Sequence, residues 1–153
     1  MGILCNFLMD LSTSFFSFDL SGLAADVESA TLTLPLERFI SADATESFTV
    51  YQYSGDAATV AEMISGGSPP PLATRLLIFE DLGSGPAYSG TVVSAADIGS
   101  SIELTLNAQA VEDINTRSES LFAIGIAVDR PFQSIEDEWI RFDVESDSVA
   151  TLQ

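Results

Sequence analysis

Hydrophobic and polar residues alternate along much of this chain, and the alternation predicts strands. In Ala30-Thr31-Leu32-Thr33-Leu34-Pro35-Leu36 the alanine and leucines share one face and the threonines the other, the pattern of a strand with one side buried. Pro35 cannot donate to a ladder, so this strand is expected at a sheet edge or interrupted there. Ser101-Ile102-Glu103-Leu104-Thr105-Leu106 repeats the pattern with Ile102, Leu104 and Leu106 inward. Phe48-Thr49-Val50-Tyr51-Gln52-Tyr53 is aromatic and β-branched, which favours a pleated surface. Tyr88 to Val93 and Trp139-Ile140-Arg141-Phe142-Asp143-Val144 read as further strands.

Three runs are apolar on both faces: Phe15-Phe16-Ser17-Phe18, Leu76-Leu77-Ile78-Phe79 and Leu121-Phe122-Ala123-Ile124-Gly125-Ile126-Ala127-Val128. They suit central strands covered from both sides. Two short segments keep helical spacing instead. Val60, Met63 and Ile64 follow Asp56, and Val111 and Ile114 follow Asn107, each polar residue a good N-cap. Both are expected as about two turns of helix lying across a sheet edge. Gly66-Gly67-Ser68-Pro69-Pro70-Pro71 opposes regular pairing and reads as a loop inside the domain. Seven to nine strands with turns between them predict an all-β fold, an antiparallel β-sandwich or jelly roll with one or two short helices. One domain is expected over residues 1–153, truncated at one or both ends.

Composition changes this picture in two ways. The chain has 153 residues, 46% of them hydrophobic, enough to bury a core without disulfides or a structural metal. Its net charge is −18, from 23 acids against five bases, and every base is an arginine. Such a surface repels phosphate backbones and anionic headgroups, which argues against nucleic-acid and membrane-surface partners. It also makes the fold sensitive to ionic strength, because salt screens the repulsion between carboxylates. No apolar stretch reaches the length of a membrane span. The opening Met1-Gly2-Ile3-Leu4-Cys5-Asn6 lacks a basic region and its apolar run is broken by Asn6 and Asp10, so it does not read as a signal peptide.

The chemistry available is narrow. There is no histidine and no lysine, which removes the Ser-His-Asp triad, the commonest zinc ligand and Schiff-base catalysis. Cys5 is the one cysteine, so no cysteine metal cluster can form. Gly83-Ser84-Gly85 reads as a turn, since no Lys-Ser or Lys-Thr follows it as a phosphate loop requires. Paired carboxylates remain. A glycosidase would need two of the strand acids Asp19, Glu37, Glu103 and Asp143 to face each other at roughly 5 to 10 Å, against the simpler reading that they face solvent. Glu136-Asp137-Glu138 gathers three acids in an expected loop and is the candidate Ca²⁺ site, without EF-hand spacing. Tyr51, Tyr53, Tyr88 and Trp139 are the aromatics with a polar handle that could stack on a sugar. A lone tryptophan in a small sandwich is more often core, where its area stabilises most.

Several segments taken in order resemble a family of exported bacterial proteins that often carry PEP-CTERM sorting signals. They are Phe15-Phe16-Ser17-Phe18-Asp19-Leu20-Ser21-Gly22, Ser29-Ala30-Thr31-Leu32-Thr33-Leu34, Phe79-Glu80-Asp81-Leu82-Gly83-Ser84-Gly85-Pro86-Ala87-Tyr88, Val93-Ser94-Ala95-Ala96-Asp97, Leu104-Thr105-Leu106-Asn107-Ala108, Ile114-Asn115 and Phe122-Ala123-Ile124-Gly125. The resemblance implies a jelly-roll sandwich and an extracellular or cell-surface setting, and it carries no catalytic residue to this chain. The Pro-Glu-Pro motif itself does not occur in this sequence. The expected function is therefore non-catalytic: a binding or structural module for polysaccharide or matrix components. The alternatives are a structural domain that self-associates through strand edges, and a carbohydrate-active enzyme with paired acids. Exposed aromatics would favour the first and an exposed apolar patch the second.

Overall fold

A computed structural model describes residues 13–22, 26–64, 70–116, 120–129, 139–142 and 151–152. The elements run β1 (Thr13–Asp19), β2 (Thr31–Ile40), β3 (Thr45–Gln52), α1 (Ala57–Ile64), α2 (Leu72–Asp81), β4 (Ala87–Ser94), β5 (Ser101–Thr105), α3 (Ala108–Thr116), β6 (Leu121–Val128), β7 (Trp139–Phe142) and β8 (Thr151–Leu152). The strands form two antiparallel sheets, one ordered β1-β6-β3-β4 and the other β5-β2-β7 with β8 also paired to β2.

The period-two reading fixes which side of each strand is buried. Leu32, Leu34 and Leu36 of β2 and Phe48 and Val50 of β3 are all buried, and Leu32 stands opposite Leu104 of β5. These side chains join Phe16, Phe18, Phe122, Ile124 and Ile126 in one core shared by both sheets. Phe142 of β7 meets Phe48 and Phe16 edge-on, with ring centres 5.4 and 6.5 Å away. Edge-to-face packing sets the positive ring edge on the neighbour's negative face. Pro35 is not at an edge, because β2 is central in its sheet. It sits where β2 exchanges partners: pairing with β5 ends at Pro35, pairing with β7 begins at Leu36, and the register shifts between Leu36 and Arg38.

The other side of the β1-β6-β3-β4 sheet is covered by helices. Phe15 and Ala123 pack there with Tyr53, Ala57, Val60, Ile78 and Leu82. Two of the doubly apolar runs, in β1 and β6, are thus covered on both faces, as their sequence requires. The third is a correction: Leu76-Leu77-Ile78-Phe79 belongs to α2, not to a strand. A four-residue apolar run has no periodicity that separates buried strand from helix. The surrounding Leu, Ala, Arg and Glu are good helix formers, and Pro71 stands at the N-cap, where a missing N–H costs little.

The α-helices number three among the described residues rather than one or two, and a 3-10 turn spans Ala95–Asp97. Asp56 and Asn107 cap α1 and α3 as their sequences predict: Asp56 Oδ1 accepts from Ala58 N at 3.0 Å and Asn107 Oδ1 from Ala110 N at 3.1 Å. Neither helix merely crosses an edge. α1 lies on the sheet face near β1 and β6, and α3 sends Ala110 and Ile114 into the main core. Gly125 explains how α2 reaches β6. A Cβ there would overlap the Leu82 backbone, so only glycine lets the helix end settle against the strand.

Candidate functional site

Where β3 ends, the chain turns through Tyr53, Ser54 and Gly55 into Asp56, the cap of α1. Asp81, at the last turn of α2, clamps this turn by accepting from Ser54 N at 2.7 Å and Ser54 Oγ at 2.8 Å through its two oxygens. Asp56 accepts from the Thr59 hydroxyl at 2.6 Å as well as from Ala58 N. The two acids therefore stand on the walls of a cleft of about 330 Å³, whose lining includes Tyr53, Asp56, Thr59, Leu77, Ile78 and Asp81 and, among the described residues, no basic side chain. Gly55 lies on the Tyr53 ring, where a Cβ would collide with it.

The electrostatics follow from this placement. Burial, then the Asp81 and Asp56 carboxylates, push the Tyr53 hydroxyl up to about 12, since each disfavours a phenolate. The Thr59 hydroxyl and then the Ala58 N–H hold the Asp56 carboxyl below the usual carboxylate range. The cleft is thus a negative, partly apolar depression.

Leu77 belongs to two surfaces. It lines the cleft, and with Leu72 and Leu76 it forms the outward stripe of α2, the three being 65, 64 and 54% exposed. Exposed leucines are ordinary one at a time, whereas these three share one helix. Glu80, one turn beyond Leu76, is exposed on the same stripe.

The aromatics read as sugar platforms do not converge. Tyr53 and Tyr88 are 2 and 1% exposed and sit in separate clusters. Tyr88 stacks on Phe122 with ring centres 6.2 Å apart and donates its hydroxyl to Asp113 Oδ2 at 2.5 Å. Asp113 also accepts from Gln52 Nε2 at 2.7 Å and Gln109 Nε2 at 3.1 Å, so this network fastens α3 to the sheet. Neither buried ring leaves a face for a pyranose, which corrects that assignment for Tyr53 and Tyr88. Tyr51 is half-buried, opposite Gly125 and Ala87. Trp139 opens β7 opposite Ile40.

The acids are dispersed too. Glu37 pairs with Arg141 Nε at 2.7 Å, Asp19 accepts from Ser21 N at 2.8 Å, and Glu103 stands opposite Thr33. No two of these three are cross-strand partners. Glu136, Asp137, Glu138 and Asp143 lie outside the described residues. Among the described residues no three acidic or thiol side chains gather as a metal site would require. Sequence reasoning missed Asp81 as a partner of Asp56, and it missed Glu46. That carboxylate is 6% exposed on β3 and accepts a hydrogen bond from the Ser41 hydroxyl at 2.5 Å.

No family model, curated protein or solved structure matches this chain. No described helix is long and apolar enough to cross a membrane.

Proposed function

We propose that the chain is a non-catalytic protein-association module built on a jelly-roll sandwich, with the outward face of α2 as its contact surface. The strand order supports the architecture. In an eight-stranded jelly roll one sheet holds the first, last, third and sixth strands in that order, and the second and seventh are neighbours in the other. The order β1-β6-β3-β4 and the β2–β5 pair take those places if α1 and α2 replace the fourth and fifth strands in sequence. The setting implied by the family resemblance is a bacterial surface or matrix, where modules without catalytic groups serve to hold other molecules.

The observation that carries the functional reading is the leucine stripe of Leu72, Leu76 and Leu77. Keeping such a stripe in water costs free energy that a partner's apolar surface would recover, at about 25 cal/mol per Å² covered. The buried rings of Tyr53 and Tyr88 give a polysaccharide no comparable platform. The test is a panel of leucine-bearing peptides, acidic, neutral and basic, set beside a panel of anionic, neutral and matrix polysaccharides. Peptide binding is expected, and Leu76→Ser with Leu77→Ser should abolish it while leaving the circular dichroism unchanged. A polysaccharide that binds equally well to the double variant, with no peptide bound, would overturn the reading.

A further inference from the structure

We infer that the partner presents an arginine, which enters the Asp56–Asp81 cleft while flanking apolar residues cover the α2 leucines. This inference rests on the association reading and names the chemistry of the partner. Leu77 makes the two surfaces continuous, as wall of the cleft and member of the stripe at once. A segment lying along α2 therefore passes the cleft mouth.

The cleft selects for positive charge. Its walls carry Asp56 and Asp81, and among the described residues its lining has no base to neutralise them. Asp81 accepts one bond per oxygen from Ser54, and Asp56 accepts from the Thr59 hydroxyl and from the Ala58 and Thr59 backbone N–H groups. An ionised carboxylate has about four lone-pair sites, so each keeps acceptor capacity toward the cleft. A guanidinium offers five donors in a rigid plane and sheds water more easily than an ammonium, which suits two carboxylates beside the apolar side chains of Leu77 and Ile78. The volume of about 330 Å³ admits a long side chain.

A second copy is the poorer occupant. The net charge of −18 and the acids Asp56, Glu80 and Asp81 beside the stripe would set like charges face to face, which opposes pairing. Arg141, one of the chain's five bases, is held by Glu37.

The test uses the full chain, labelled for amide spectra, and the peptide acetyl-Ala-Leu-Arg-Leu-Ala-amide beside versions with citrulline or glutamate in place of arginine. The arginine peptide should shift the amides of Ser54, Gly55, Asp56, Thr59 and Leu77. The citrulline peptide should bind about tenfold more weakly, the glutamate peptide not measurably. Asp81→Asn should bring the arginine peptide to the citrulline level. Leu77→Ser, which leaves the Ser54 clamp intact, should weaken both the arginine and the citrulline peptide. If citrulline binds as well as arginine, or if copies of the chain dimerise through Leu76 and Leu77 at these concentrations, the arginine inference falls and the association reading stands. If no peptide binds, or binding ignores Leu77→Ser, both fall.

Discussion

The two faces of the β1-β6-β3-β4 sheet are covered by different kinds of structure. On one, β2, β5, β7 and α3 close over Phe16, Phe48, Phe122 and Ile124, none more than 1% exposed. On the other, Phe15, Ala123 and Tyr53 are met by a few side chains from two short helices. Ser17, on the same face as Phe15, is buried with its hydroxyl unpaired. A strand layer brings alternate side chains inward along its whole length. A helix turns only one stripe inward and must show the other, and in α2 the outward stripe is leucine. The exposed leucines and the acidic cleft both belong to the thinner cover, the kind of region that opens at lower free energy than a dense core.

Phe122→Ala breaks the dense side. It deletes a fully buried ring that stacks on Tyr88, and urea denaturation should show a loss of about 3–5 kcal/mol with the slope unchanged. A loss under about 1 kcal/mol would mean that this side relaxes around the cavity and is no denser in energy than the other.

Gly125→Ala breaks the helical side without touching the main core. The new Cβ meets the Leu82 backbone, and overpacking of this kind costs roughly 1–3 kcal/mol. Hydrogen exchange sharpens the comparison. Amides of α2 should lose protection before those of β2. Equal losses in both would show that the two covers unfold as one cooperative unit.

The dense side was largely legible in the sequence and the helical side was not. Alternation gives the inward faces of β2, β3 and β5 directly, because in a strand the side-chain period is two whatever the neighbours are. The doubly apolar stretches of β1 and β6 announced a second cover without saying what it was. Leu76-Leu77-Ile78-Phe79 hid it, since only Ile78 of the four turns fully inward and the leucines that break the helical pattern are those left exposed. The cleft was less legible still. Asp56 was visible as a cap, but Asp81 lies 25 residues further on and meets Ser54 only through the fold. Tyr53 looked like a surface ring because nothing local shows that the outer sheet face is roofed.

The smallest effect tests how much α1 depends on its cap rather than on Val60 and Ala57 beneath it. Asp56→Ala removes the acceptor for Ala58 N and the Thr59 hydroxyl and should cost about 1 kcal/mol, whereas Asp56→Asn, an equally good cap, should cost little. The pair also gives a pH signature. Because the folded Asp56 carboxyl lies below its ordinary value of 3.8, its charge stabilises the fold above that value. The contribution is lost as pH falls through the lower folded pKa. Asparagine does not titrate, so any advantage of wild type over Asp56→Asn at pH 7 should shrink toward pH 3. A gap that stays constant from pH 7 to pH 3 would show that the Thr59 and Ala58 bonds do not favour the charged carboxylate, and that packing alone holds α1 on the sheet.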